Sequence, residues 1–238
     1  MLRLDIAEFL PRYFQALGTA MAGLTDPARF VQDLLAATAA MTEARGRKLS
    51  HRELFWTELE RRVGRDPLRD WPGRIAEFYR RDFPGLGLAY RADPAARRVV
   101  RAALAAGAEV ILATNPVFPA GAVIERMRWA GIDDLPFSLV TSYEHMRACK
   151  PHPEYYREIL ELRGLEASQC VMVGNDVQED VVPARRLGMG TFLVTGLTID
   201  RNGERHLADW SGDLDCLATM MEEAKGRAGG GAALRRSG

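Results

Sequence analysis

The sequence predicts an α/β fold: a parallel sheet with helices on both faces, joined to an all-helical region. Two patterns along the chain support this prediction. Apolar side chains recur at helical spacing over residues 9–90, whereas helical segments alternate with short apolar runs from about Asp93 onward. Strand–helix–strand units of this kind build parallel sheets that are covered on both faces. Polar and acidic residues follow the apolar runs, and ligands bind at that end of such sheets.

The helical region is predicted to extend over residues 1–90 and to form a small bundle. Phe30, Leu34 and Met41 follow the spacing of one helix face, and Asp26 suits the N-cap of the same helix. Most aromatic residues of the chain also lie in this region. We expect most of them to pack in the core of the bundle.

The α/β region is predicted to extend over residues 91–224. Four short apolar runs are expected to be its strands: EVILA from residue 109, PFSLV from 136, CVMV from 170 and TFLV from 191. A glycine ends the helical segment before each run, where it can adopt the left-handed conformation of a helix C-terminus. Residues 225–238 are rich in glycine and arginine, which predicts a disordered tail.

The composition excludes several classes of partner. Lys and Arg number 32, and so do Asp and Glu, so the net charge offers no general attraction for nucleic acid or an anionic membrane. The amino terminus lacks the apolar core of a signal peptide, and Glu109, Asn115 and Pro116 interrupt the longest apolar stretch, so no membrane span is expected. Three cysteines without a CxxC pair are typical of reduced thiols, which predicts a cytoplasmic location.

Groups that can bind an anion follow the first two predicted strands. Thr114 and Asn115 come directly after the first strand and offer a hydroxyl, an amide and nearby backbone N–H groups. Lys150 lies beyond the second strand, in an extended segment that Pro151 and Pro153 fix before a helix. Each signal is weak alone, because Thr-Asn-Pro is also an ordinary turn and a single lysine is usually solvated.

An acidic cluster follows the third predicted strand. Asn175, Asp176 and Asp180 come directly after Gly174, at the start of a helix whose dipole also favours negative charge. Dipole compensation needs only one or two acids, and crowded carboxylates repel each other unless a cation lies between them. The cluster therefore favours Mg²⁺, which takes few protein carboxylates and keeps several waters. The four histidines have no carboxylate partner at metal-ligand spacing and are interpreted as structural or exposed.

In this order, the three groups of residues resemble the motifs of the haloacid dehalogenase superfamily of hydrolases, most of which are phosphatases. The resemblance covers roughly residues 93–200. Thr114 matches the family's second motif, Lys150 its third and the GND…D stretch its fourth. The helical region resembles the cap that the family inserts after its first motif.

The resemblance implies a role for each of these residues. Thr114, supported by Asn115, is expected to bind a phosphoryl oxygen of a small phosphorylated substrate. Lys150 is expected to neutralise the phosphoryl group and the nucleophile. Asp176, Asp180 and Asn175 are expected to hold Mg²⁺ directly or through water. Asn175 stands where many members carry the first acid of this motif, so Asp176 is the expected direct ligand.

The family's first motif, a DxD sequence after the first strand, is not found in this sequence. One Asp of that motif forms an aspartyl-phosphate intermediate, and the other acts as general acid and base. Asp5 is the only early candidate, but Ala7 stands where the second acid is expected. By resemblance, the missing strand lies between the strands that carry Thr114 and Asp176. The sequence therefore predicts a truncated and inactive form of a longer gene product.

Three functions remain open at this level. The first is a Mg²⁺-dependent phosphatase whose full gene supplies the nucleophile. The second is a non-catalytic phosphate-binding or regulatory protein that keeps the crevice without the attacking Asp. The third is a dehalogenase-type hydrolase, which needs no metal and is disfavoured by the acidic cluster. The sequence indicates neither the substrate nor the oligomeric state.

Overall fold

The structure, a computed structural model, describes residues 2–45 and 48–228. Its first part is helical, and a short antiparallel ribbon joins the two ends of this part. The ribbon consists of β1 (Leu2–Arg3) and β2 (Arg91–Ala92). Between these strands the described chain forms α1 (Ile6–Ala20), α2 (Pro27–Thr42), α3 (His51–Val63), α4 (Arg65–Leu68), α5 (Trp71–Arg81) and α6 (Phe83–Leu86).

Side-chain caps fix where the first helices begin. The Asp26 carboxylate accepts a hydrogen bond from the backbone N–H of Arg29 at 2.8 Å, which confirms the predicted N-cap of α2. The Asp5 carboxylate accepts from the backbone N–H of Ala7 at 2.8 Å and caps α1. Asp5 is therefore engaged in starting the first helix of the helical region.

The α/β region contains the four predicted strands; the first two are shorter than their apolar runs, and the other two are shifted or extended by one residue. They are β3 (Ile111–Leu112), β4 (Leu139–Val140), β5 (Val171–Gly174) and β6 (Gly190–Val194). A further strand, β7 (Trp210–Gly212), was not predicted, because its three residues form no apolar run. The helices of this region are α7 (Ala95–Ala105), α8 (Ala120–Trp129), α9 (Pro153–Arg163), α10 (Val182–Arg186) and α11 (Leu214–Ala228).

The described strands of the α/β region form two parallel sheets instead of one. One sheet pairs β3 with β4, and the other has the order β5–β6–β7. The two sheets lie side by side, because Ile111 and Met172 contact one apolar cluster whereas Leu112 and Val173 contact another. Within the described residues, β3 and β5 each have one hydrogen-bonded neighbour, and their facing edges are unpaired. The missing strand between them stays a prediction.

Helices cover both faces of the sheets, as predicted. Ala96 of α7 and Leu214 of α11 pack on one face, in a cluster with Phe192 of β6. Tyr155 of α9 and Ala184 of α10 pack on the other face. These two layers confirm the predicted α/β fold class. Among the described helices, none combines the length and the hydropathy that crossing a bilayer requires.

The last helix corrects the predicted beginning of the tail. α11 continues to Ala228, four residues into the segment 225–238 that was predicted to be disordered. Because helices fray gradually, a glycine such as Gly226 near the end costs too little to stop α11 earlier. The rest of the predicted tail, residues 229–238, lies outside the described residues.

The helical region shares its core with α8 of the α/β region. Phe118, Ala122 and Val123 belong to the same apolar cluster as the buried aromatic side chains of α1, α5 and α6. The ring of Phe83 stacks on that of Trp129, with ring centroids 5.0 Å apart. A Cβ at Gly87 would lie 2.3 Å from the Trp129 ring, so only glycine fits at this contact. The predicted boundary at residue 90 stays a prediction.

Candidate active site

A buried ion pair lies at the carboxyl ends of the strands. Lys150 Nζ donates a hydrogen bond to Asp180 Oδ1 at 2.7 Å, and both side chains are less than a tenth exposed. Lys150 Nζ also lies 5.8 Å from the centre of the Tyr155 ring. Charges that leave water are retained when they are paired and hydrogen-bonded. The structure thus brings together Lys150 of the third predicted motif and Asp180 of the fourth.

Gly174 makes room for this ion pair. A Cβ at this position would lie 2.0 Å from Asp180 Oδ2, which is far inside van der Waals contact. The same Oδ2 atom accepts the backbone N–H of Asp176 at 3.1 Å. The glycine at the end of β5 is therefore required for the Asp180 carboxylate to fold back against the strand.

Thr114 lies at the end of β3 and is held by a neighbouring hydroxyl. Its backbone N–H donates to Thr141 Oγ1 at 2.9 Å, and its own hydroxyl donates to the Thr141 carbonyl at 3.2 Å. The Tyr155 hydroxyl donates to the Thr114 carbonyl at 2.7 Å. Tyr155 therefore contacts both Thr114 and Lys150. Burial raises the pKa of Tyr155 far above its usual range, so this hydroxyl stays a donor.

Asn115 points into the protein beside Thr114. Its Oδ1 atom is buried and has no hydrogen-bond partner among the residues that the structure describes. A buried acceptor of this kind costs about 1–3 kcal/mol when it stays unpaired. Asn115 therefore offers an acceptor at the end of β3, the strand whose other edge is unpaired.

Asp176 has a different set of partners from the one that the sequence predicts. Arg201 binds it with two hydrogen bonds, from Nη1 to Oδ1 at 2.8 Å and from Nη2 to Oδ2 at 2.7 Å. The backbone N–H groups of Gln178 and Glu179 also donate to Oδ1, at 3.1 and 3.0 Å. Asp176 thus acts as the cap of the following helical turn and as the partner of an arginine.

Arg201 belongs to a segment that we call the strap, residues 195–205, which follows β6. Ile199 of the strap exchanges two backbone hydrogen bonds of 2.9 Å with Asn175 and Val177. The side-chain amide of Asn175 donates to the Leu197 carbonyl at 2.7 Å. The strap therefore lies directly against the acid-bearing loop and uses the polar groups of Asn175.

Glu179 of this loop lies in a buried and acidic environment. Burial raises the pKa of Glu179, and the nearby carboxylates of Asp176 and Asp180 raise it further. Hydrogen bonds to Asp176 raise the pKa of Arg201. Three crowded acids are thus balanced by two side-chain cations, Lys150 and Arg201, and Glu179 binds a proton more readily than a free glutamate.

The residues expected to hold Mg²⁺ do not form an open metal site in this arrangement. All four carboxylate oxygens of Asp176 and Asp180 accept hydrogen bonds from protein donors. Within the described parts of the chain, no three His, Cys, Asp or Glu side chains are grouped to hold a metal ion. Mg²⁺ would therefore compete with Lys150 and Arg201 for these carboxylates.

The helical region contributes one buried group that the sequence did not identify. His51, interpreted as isolated, is fully buried, and its Nδ1 atom lies 3.2 Å from the Pro116 carbonyl, directly after Asn115. Its ring also lies 3.7 Å from the sulfur of Cys149, the neighbour of Lys150. Burial lowers the pKa of His51 and raises that of Cys149 to about 12. This contact joins α3 to the loops that carry Asn115 and Lys150; a lone histidine gives no sequence signal for it.

Comparison with known proteins defines the class of this protein. A family model described as haloacid dehalogenase-like hydrolase matches residues 21–188, which is more than half of the chain. The chain therefore belongs to the haloacid dehalogenase-like hydrolases. This confirms the resemblance that the motifs indicated.

The individual proteins that this chain resembles match it over a short stretch or at low identity. The chain is 41% identical over 76 residues to the phospholysine phosphohistidine inorganic pyrophosphate phosphatase of Rattus norvegicus. This match covers 31% of the chain and only 27% of the rat protein. Among solved structures, a predicted phosphoglycolate phosphatase from Haemophilus somnus aligns with a TM-score of 0.54 at 18% identity, covering 90% of this chain and 92% of that one. An L-2-haloacid dehalogenase aligns with a TM-score of 0.53 at 14% identity, covering 92% and 93%. The two structures share the fold, and the fold alone does not separate their reactions.

Proposed function

We propose that this protein is a phosphatase that hydrolyses a small phosphorylated metabolite in the cytoplasm. The observation that carries the proposal is the buried Lys150–Asp180 pair, which Tyr155 connects to Thr114 at the same edge of the sheets. A lysine fixed in this way presents a positive charge to a phosphoryl group. The match to a phosphatase in sequence supports the same reaction.

The proposed roles follow from the present contacts. The Thr114 hydroxyl, which now donates to the Thr141 carbonyl, would turn to donate to a phosphoryl oxygen. Lys150 would neutralise the charge of the phosphoryl group, while Asp180 holds its ammonium in place. Neither group attacks phosphorus, so the reaction also needs a nucleophilic carboxylate that forms an aspartyl-phosphate.

We assign this carboxylate to a strand that would fill the space between β3 and β5. Two unpaired sheet edges face each other there, and parallel strands leave such edges unpaired only at a cost. The Oδ1 atom of Asn115, a short distance along the chain after β3, is a buried acceptor without a partner among the described residues. The chain without this strand is proposed to be inactive. Mg²⁺ dependence stays a prediction, since the expected ligands already have partners.

An assay with a generic aryl phosphate tests this proposal. We expect the 238-residue chain to be inactive and a form extended upstream in its reading frame to hydrolyse the ester. In the extended form, Lys150→Met should lower kcat/KM by at least about a hundredfold, because electrostatic stabilisation by such a group is worth this much. The matched control is Lys48→Met, which removes an exposed lysine and should leave kcat/KM unchanged.

Three outcomes would contradict the proposal. Turnover by the 238-residue chain would show that no further strand is needed. An extended form that binds inorganic phosphate without hydrolysing the ester would favour the phosphate-binding alternative. Chloride release from a 2-haloacid, with no turnover of the ester, would favour a dehalogenase. The pairing of Asp176 with Arg201 is the observation that keeps this last alternative open, because a metal-free site suits that reaction.

A further inference from the structure

The acid-bearing loop after β5 carries its own positive charges. Asp180 pairs with Lys150 and Asp176 pairs with Arg201, with nitrogen–oxygen distances of 2.7 Å in both pairs. Carboxylates crowded at a strand end need nearby positive charge, which a metal or a side chain can supply. In this chain the positive charge beside Asp176 comes from Arg201 of the strap.

The contact between Arg201 and Asp176 has the geometry of a specific ion pair. Two parallel hydrogen bonds join the guanidinium to the carboxylate, which is the strongest arrangement that these groups can form. The Asp176 side chain is only 10% exposed, although Arg201 is 53% exposed. The carboxylate thus has little free surface left for a further ligand.

The strap fixes the position of Arg201 independently of the ion pair. The backbone N–H of Arg201 donates to Gln178 Oε1 at 2.8 Å. Gln178 in turn donates to the Asp200 carboxylate at 3.2 Å, and Asp200 accepts the backbone N–H of Glu204 at 2.9 Å. The backbone of Arg201 is therefore held beside Asp176 by hydrogen bonds that do not depend on the ion pair.

We propose that Arg201 is the resident cation of Asp176, so that a divalent ion binds this carboxylate only after the guanidinium has left. An arginine does not lose its charge at any ordinary pH. The metal ion must therefore displace a charged guanidinium from Asp176. The strap then has two states, one bound through Arg201 and one released by a metal ion. This inference concerns cation binding and holds whichever reaction the protein catalyses.

Mn²⁺ binding to the 238-residue chain tests the proposal, with the free ion measured by electron paramagnetic resonance. We expect Arg201→Gln to lower the Kd for Mn²⁺ at least tenfold relative to the unmodified chain. The matched control is Arg205→Gln on the same strap, because Arg205 pairs with Asp200 and not with Asp176. This control should bind Mn²⁺ as the unmodified chain does.

Two further variants identify the carboxylate and guard against misfolding. Asp176→Asn added to Arg201→Gln should abolish the gain in affinity. Arg201→Lys keeps the charge but loses the paired hydrogen bonds, and its Kd should lie between those of the unmodified chain and Arg201→Gln. The proposal is overturned if Arg201→Gln, or Arg201→Lys where the glutamine variant does not fold, binds Mn²⁺ no more tightly than the unmodified chain. A gain that survives Asp176→Asn would overturn it equally.

Discussion

The helical region and the α/β region bury their apolar side chains in different ways. The helical region has one continuous core, in which the largest side chains are almost fully buried. The α/β region contributes part of α8 to that core and divides its other clustered side chains among three smaller clusters around two separate sheets. Among its strands, β6 has neighbours on both sides and is almost wholly buried, whereas β3 is half-buried. The two regions therefore differ in packing: the helical region is packed around one core, whereas the described strands of the α/β region are divided between two sheets.

The largest effect is expected from a cavity in the continuous core. Phe83 is fully buried and contacts the rings of Phe9, Tyr79 and Trp129. Phe83→Ala should lower the free energy of unfolding by about 3–5 kcal/mol, because a tightly packed site cannot collapse around the missing ring. Urea unfolding followed by tryptophan fluorescence measures this change.

The control for this variant is Leu88→Ala, which removes a side chain that is 93% exposed. Its effect should stay within about 0.5 kcal/mol of zero. If Phe83→Ala changed the free energy of unfolding as little as this control does, the core of the helical region would be no more tightly packed than the clusters of the α/β region. This result would contradict the difference in packing between the two regions.

Two leucines of the α/β region test the space between the sheets. Leu193 on β6 is buried, whereas Leu112 on β3 is half-buried beside the unpaired edge. Leu193→Ala should cost about 2–5 kcal/mol in unfolding free energy, and Leu112→Ala clearly less, since less apolar surface leaves water at that site.

The same two leucine variants can be compared in the upstream-extended form. If a strand fills the space beside β3, Leu112 becomes buried and the cost of Leu112→Ala should rise toward that of Leu193→Ala. Equal costs of Leu112→Ala in the short and extended forms would show that the added chain does not pack there.

The sequence predicts those parts of the fold that depend on local patterns. The apolar runs identify β3 to β6, and the glycine after β5 identifies the loop that carries Asp176 and Asp180. The lengths of β3 and β4 were overestimated, because each apolar run has five residues but only two of them pair in the ladder. The ladder ends where the side chain of Thr141, and not a backbone group, accepts the backbone N–H of Thr114.

The candidate site was predicted less completely than the fold. The carboxyl ends of parallel strands lie at one edge of a sheet. This explains why the structure places Thr114, Lys150 and Asp180 at the same edge. Arg201 could not be assigned, because it lies 25 residues after its partner Asp176 in a polar segment that resembles an ordinary loop. His51 could not be assigned either, since its contacts with Pro116 and Cys149 arise only when the helical region packs on the α/β region.

The smallest expected effect concerns the surface pairing of α7 with the turn after α8. Arg97 donates to both carboxylate oxygens of Asp134, and its hydrogen bonds lower the pKa of Asp134 to about 2. A carboxylate whose pKa is lower in the folded state stabilises that state above its unfolded pKa of about 3.9. This contribution is lost as the pH falls through the folded value.

Thermal unfolding between pH 6 and pH 2 measures this loss. The unmodified chain should unfold at a slightly higher temperature than Asp134→Asn above about pH 4, and the difference should vanish near pH 2, in the window set by the two pKa values. The control is Asp66→Asn, because that carboxylate is 96% exposed and 3.8 Å from its arginine in the helical region. A difference for Asp134→Asn that persists unchanged at pH 2 would show that the pair acts through packing and not through charge. In that case packing would join α7 to the turn after α8, as it joins the helices of the helical region. The two regions would then differ only in their cores.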